Sequence, residues 1–401
     1  MIKRELYMSQ IRKVINCTEL VKIITGIRRC GKSVMLELIK EELVGQGVNP
    51  KQFISLNFEV LKNSHLSDYL RLYEHLSKKI ESIEGRVYLF LDEIQEVSGW
   101  ERCVNSFRVE YDVDIYVTGS NSHLLNSEYA TYLAGRYISF EILPFSFSEF
   151  IITDTNRPQR EMFEKYLKLG GMPFLAVSNH DDNTNREYLL DLYNSVILKD
   201  VIARNNIFDT DLLDRLTTYI MANIGRTFSA SSISKYLKSE NRNVSSETIL
   251  NYIKACESAY LIYRAKSQDL IGKKILTVNE KYYIADHGLR EAVYGENISD
   301  IEIVLENIVY MELRRRGYKV FVGKAGNKEV DFVAQDRQNF LYVQVSYLLA
   351  TEETRSREFG AFESIRDNYP KYVVSMDEFN MSRNGYKHMN IRDFLLADSW
   401  D

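Results

Sequence analysis

Ile23-Ile24-Thr25-Gly26-Ile27-Arg28-Arg29-Cys30-Gly31-Lys32-Ser33 reads as a buried strand that runs into a phosphate-cradling turn and then a helix. Gly26, Gly31, Lys32 and Ser33 match the pattern G-x-x-x-x-G-K-[ST]. The two glycines let the backbone turn back and leave its N–H groups free to face phosphate oxygens. Lys32 brings a point charge to the β- and γ-phosphates, and the Ser33 hydroxyl is a ligand for the Mg²⁺ that bridges them. A helix over about 33–43 aims its positive end at the same anion, and Val34, Met35, Leu36, Leu38 and Ile39 carry its apolar spacing. Gly26 to Val34 is therefore the expected seat of a nucleotide, with ATP and Mg²⁺ the expected ligands.

Downstream, Val87-Tyr88-Leu89-Phe90-Leu91 is a continuous apolar run, the pattern of a central parallel strand covered on both faces. It closes on Asp92-Glu93. An apolar strand ending in Asp is the Walker B element, whose Asp holds Mg²⁺. The next residue, Glu93, is placed to polarise the attacking water. Phe53 to Phe58 alternates as a strand between the two motifs. Ile115-Tyr116-Val117-Thr118-Gly119-Ser120-Asn121 is another apolar strand ending in small polar residues. Asn121 or Ser120, with Thr118 behind them, is the expected sensor of the γ-phosphate. A fifth strand falls over 138–143. Right-handed crossovers then give an α/β, doubly wound parallel sheet with the nucleotide at its carboxyl edge.

Composition narrows the class. The 401 residues suggest two or three domains, 45% hydrophobic and 27% charged content is that of a globular chain, and the net charge of −5 supplies no global field for nucleic acid. Cys17, Cys30, Cys103 and Cys256 are scattered without metal-site spacing, and no apolar run reaches membrane-spanning length. A cytoplasmic location with no membrane partner is expected.

Further motifs occur in one order: Leu91-Asp92-Glu93-Ile94-Gln95, Gly99-Trp100-Glu101, Thr118-Gly119-Ser120, Leu133-Ala134-Gly135-Arg136, Leu143-Pro144-Phe145-Ser146-Phe147-Ser148-Glu149-Phe150 and Gly170-Gly171-Met172-Pro173. With the loop at Gly26–Ser33 they make the chain resemble a widespread family of bacterial and archaeal AAA-type ATPases. Its members carry a winged-helix segment and a C-terminal nuclease-like domain. The resemblance implies a P-loop ATPase domain with a small helical extension over 1–200, a winged helix-turn-helix domain over 201–295, and a restriction-endonuclease-like α/β domain over 296–401. It also implies that Arg136 is an arginine finger or γ-phosphate sensor, acting in trans in a homo-oligomer or in cis. Structural salt bridges are the competing role for Arg28, Arg29 and Arg136.

In the middle segment, helices over 212–224, 233–237 and 248–259 precede two strands, over 261–265 and 281–284, the layout of a winged helix-turn-helix. Residues 211–275 carry ten Lys/Arg against six Asp/Glu, which reverses the sign of the whole chain. Asn251 and Lys254 lie on the reading helix, and Arg264, Lys266, Lys273 and Lys274 on the wing side. DNA contact is the expectation, with packing or assembly as its alternative.

In the last segment Glu306 falls on a helix over 303–316 and Asp331 on a strand over 329–334. That is the order of a PD-(D/E)xK nuclease, in which acids hold Mg²⁺ and a Lys activates water. The final pair fails: Gln344 and Ser346 stand where the pattern asks for Glu and Lys. A degenerate, uncleaving site is expected. The sequence thus favours ATP hydrolysis coupled to a conformational change on a nucleic-acid or protein partner. The alternatives are a slow switch or DNA-binding regulator and, weakest, an ATP-gated nuclease.

Overall fold

A computed structural model describes residues 1–125, 132–270, 274–295, 297–326 and 328–400, with the side chains of 123, 125 and 274–279 outside the description. The chain forms two compact units, Met1–Leu143 with Ser258–Tyr260, and Pro144–Glu257 with Leu261–Asp401. The first unit thus ends at Leu143, short of the expected boundary at 200.

The first unit holds five strands, β1 (Val21–Thr25), β2 (Phe53–Asn57), β3 (Val87–Asp92), β4 (Val113–Gly119) and β5 (Tyr137–Glu141), in the spatial order β2-β3-β4-β1-β5. Every neighbouring pair is parallel. All residues of β1, β3 and β4 are buried, as their unbroken apolar runs require, while β2 and β5 at the edges are partly exposed. The helix Lys32–Gly45 buries Met35, Leu36, Leu38, Ile39 and Leu43, the residues picked out by spacing. Because all strands run one way, their carboxyl ends share one edge, and Gly26, Asp92 and Ser120 follow from three of them.

β1 and β4 also share a fully buried ion pair. Lys22 and Asp114 are hydrogen-bonded to each other. Asp114 accepts from the Asn16 N–H at 2.9 Å and the Tyr116 hydroxyl at 2.8 Å, and Lys22 donates to the Cys17 carbonyl at 2.6 Å. Burial pulls the ammonium of Lys22 below the ordinary lysine range, against the pull of Asp114. Removing one partner strands the other charge, so Asp114→Ala should cost about 3–5 kcal/mol. A urea titration would read this as a lower midpoint, and the double change Lys22→Met with Asp114→Leu should recover most of the loss.

The second unit begins with short helices, among them Phe147–Ile151, Gln159–Leu169 and Asp182–Ser195. Helices Thr210–Ala222, Ala230–Ser239 and Ser246–Ser258 follow, then β6 (Ile262–Asp269) and β7 (Lys274–Ile284). Helix, helix, helix and ribbon thus come in the expected order. The ribbon does not stand alone as a wing, however. β6 pairs in parallel with β8 (Lys319–Ala325), so the ribbon is the edge of a seven-stranded sheet, β12-β11-β10-β9-β8-β6-β7. The remaining strands are β9 (Lys328–Asp336), β10 (Asn339–Val345), β11 (Lys371–Ser375) and β12 (Lys387–Asn390). The sheet therefore runs across the expected boundary at 295. The helix Ile301–Arg315 packs on β7, β8, β9 and β10.

Candidate functional site

The loop after β1 is folded tightly against its own unit. Gly26 has φ +143°, and a Cβ there would lie 2.1 Å from the Ile142 carbonyl oxygen. Only glycine fits. The Thr25 carbonyl accepts the Ile142 N–H at 2.7 Å, which pins the entry to the loop. Arg4, 3% exposed, donates to the Cys30 carbonyl at 3.0 Å and to the Leu143 carbonyl at 2.8 Å, so it braces the loop from outside. Burial pushes the Cys30 thiol up, which keeps it a neutral filler.

Lys32 is buried. Its ammonium donates to the Gly26 and Ile27 carbonyls at 3.1 and 3.3 Å and lies 3.5 Å from the Glu93 carboxylate. Ser33 is exposed in the first turn of the helix. Asp92 ends β3 with both oxygens occupied. Asn57 on β2 donates to one at 2.8 Å, and the Thr118 hydroxyl on β4 donates to the other. The same Thr118 oxygen accepts the Glu93 N–H at 2.9 Å. Glu93 sits at φ +53°, a strained left-handed position that aims its side chain back at Lys32. The Gln95 amide donates to its carboxylate. Burial pushes the Glu93 carboxyl up, but Lys32 and Gln95, with Arg28 beyond them, outweigh it and hold it below the usual carboxylate range.

Neutral donors hold both oxygens of Asp92 in place, and a hydroxyl stands on the first turn of the helix after the loop. This donor set fits Mg²⁺, which takes one or two protein oxygens and fills its shell with phosphate and water. Among the described residues, no three His, Cys, Asp or Glu side chains stand where they would hold a metal by themselves.

Lys32, Ser33, Asp92 and Glu93 are thus gathered at one edge of the sheet, and Ser120 and Asn121, both fully buried, follow β4 at the same edge. Arg28 is paired with Glu59 at 2.6 Å. Arg136 is elsewhere. Its carbonyl accepts the Val21 N–H at 2.9 Å, at the amino end of β1. A five-residue strand, roughly 16 Å, separates that edge from the loop. Sequence reading gave Thr118 too small a part and missed Asn57, Gln95 and Arg4. The signal for Asn57 was a polar residue closing an alternating strand.

In the second unit Glu306 and Asp331 are half-buried. Glu306 accepts the Tyr283 hydroxyl at 2.6 Å. Asp331 accepts the Val345 N–H at 2.8 Å, and its own N–H donates to the Gln344 side-chain oxygen at 3.1 Å. Ser346 is buried, with its N–H on the Val374 carbonyl. Asn251, Lys254 and Lys266 are exposed. Arg264 is engaged by Glu257 at 3.2 Å and Glu280 at 3.5 Å. Lys273 and the Lys274 side chain lie outside the described residues.

The parallel sheet, the glycine-bounded loop with its lysine and the Asp-Glu pair at the end of a central strand are the features of a P-loop domain of the AAA type. Residues 18–151 match a family model described as an AAA domain, and residues 160–300 match a domain of unknown function (DUF8612). The chain belongs to the same family as an uncharacterized protein of Haemophilus influenzae, with 35% identity over 99% of each chain. An uncharacterized protein of Methanocaldococcus jannaschii is 29% identical over 93% of this chain and 85% of its own. Among solved structures, the Walker-type ATPase of Pyrococcus abyssi has the same fold, with a TM-score of 0.51, 16% identity and coverage of 73% of this chain and 96% of that one. No helix among the described residues is long and apolar enough to cross a membrane.

Proposed function

We propose that the protein hydrolyses Mg·ATP to ADP and phosphate and couples turnover to a conformational change on a nucleic-acid or protein partner. The observation that carries this is the arrangement at the edge of the sheet. Asp92 is fixed from β2 and β4, and an ionised Glu93 faces the loop lysine. In this reading the loop N–H groups and Lys32 bind the phosphates, and Ser33 and Asp92 hold Mg²⁺. The metal supplies charge neutralisation at the β- and γ-oxygens. Glu93 takes the proton of the attacking water once Lys32 has turned to phosphate, and Asn121 monitors the γ-phosphate. Arg136, at the far edge of its own sheet, serves as a finger only for a second copy.

Phosphate release by the purified full-length chain, with and without Mg²⁺ and with and without duplex DNA, tests the reading. An absence of Mg·ATP binding by calorimetry overturns it. Turnover unchanged by any candidate partner favours the slow-switch alternative. The exposed Asn251 and Lys254 support the reading of helix Ser246–Ser258 as the nucleic-acid face of a winged-helix module. Lys254→Ala should then weaken DNA retention and lower the slope of log affinity against log salt by about one unit. Retention indifferent to salt would count against any role for that helix in DNA contact.

A further inference from the structure

The nuclease-like order of Glu306, Asp331 and residue 344 asks for a divalent cation among the acids. The residues present do not fit one, and the reason is visible in the contacts. Lys281, on β7, is 6% exposed at its side chain, and its ammonium lies 2.8 Å from Glu329 and 3.4 Å from Glu306. The same Glu306 oxygen also accepts the Tyr283 hydroxyl, and one Asp331 oxygen accepts the Val345 N–H. Gln344 turns its amide nitrogen away to Glu358 at 2.9 Å. One side of Glu306 is also covered. A Cβ on Gly225 would lie 2.7–2.8 Å from the Glu306 carboxylate, so the backbone of the turn after helix Thr210–Ala222 already lies against it.

We infer that the ammonium of Lys281 stands in for the metal of this site: a side chain of the neighbouring ribbon fills the cation position, and the cluster is a permanent internal ion group. Burial pulls the ammonium down, but Glu306, with Asp331 and Glu329, outweighs it and holds the lysine charged above its ordinary range. Burial pushes the Glu306 and Asp331 carboxyls up, Asp331 further raised by Glu306, which is the cost of crowding acids away from water. The substitution of Gln for Glu at 344 follows the same logic. With Glu358 already accepting from the Gln344 amide and raising Asp331, a carboxylate at 344 would set a further acid against both. The segment acts by holding its ribbon and sheet together, and it cleaves nothing.

The test is Mn²⁺ binding to the full-length chain without nucleotide, followed by electron paramagnetic resonance. The wild type should bind no Mn²⁺ at this cluster. Lys281→Met should gain one bound Mn²⁺ per chain, with a rise in melting temperature on adding the ion, and Lys281→Met combined with Asp331→Asn should lose both. Wild-type binding that disappears on Asp331→Asn would overturn the inference. So would a folded Lys281→Met chain that takes up no ion. If Lys281→Met does not fold in plain buffer, refolding from urea with and without MnCl₂ gives the same decision. Recovery only with Mn²⁺ supports the substitution of lysine for metal, and recovery in neither condition overturns it. Mg·ATP binding at the loop after β1 is read separately, so failure there leaves this result intact.

Discussion

Glu93→Gln should bind Mg·ATP with the affinity of the parent chain and turn it over at least about a hundredfold more slowly. The glutamine keeps the size of the side chain and its capacity to accept the Gln95 amide. It cannot accept the proton of water. The backbone should not move, because the strained φ of +53° is fixed by the Thr118 hydroxyl on the Glu93 N–H rather than by the carboxylate. Calorimetry and phosphate release on one preparation would separate the two effects, and normal turnover would remove Glu93 from the reaction. The acidity of the group adds a second readout. Lys32 and Gln95 hold the carboxylate below its usual range despite burial. A base of that kind stays ionised as pH falls, so the parent rate should not decline from loss of this base between pH 7 and 5.

Lys32→Ala should abolish measurable ATP binding, a loss of at least about a hundredfold. Two causes add. The ammonium is the charge offered to the β- and γ-phosphates, and each charge-assisted contact is worth about 1.5–3 kcal/mol. It also ties the Gly26 and Ile27 carbonyls from inside the loop, so its removal loosens the backbone donors themselves. Lys32→Arg would keep the charge but not the fit, since a planar fork cannot replace a compact ammonium inside the loop. Affinity of Lys32→Ala within threefold of the parent would show that the nucleotide does not sit on this turn.

The parts of the site that could be read from the chain are those fixed by local spacing. Gly26 to Ser33 spans one turn of backbone, and Asp92-Glu93 needs only the end of an apolar run. What surrounds them depends on strand order. Thr118 meets Asp92 because β4 lies beside β3, and Asn57 meets it because β2 lies on the other side. Neither neighbour relation leaves a periodic trace. Arg4 reaches Leu143 across most of the unit, and a charged residue before a short helix gives no sign of that. Arg136 follows a plausible motif, but the direction of β5 puts it at the wrong end of the sheet for its own loop. The ribbon was legible as two strands. Its parallel partner β8 lies some fifty residues further along the chain, and parallel pairing carries no turn signal to announce it.

That pairing governs how the protein can be divided. The three helices ahead of the ribbon look like a cartridge that could be cut out or exchanged, yet cutting the chain after β7 would strip β8 of its edge partner and expose a row of unpaired backbone groups. Fragments that stop near residue 295 should therefore be sticky and short-lived, and any swap between relatives must carry helices and sheet together as one inherited block.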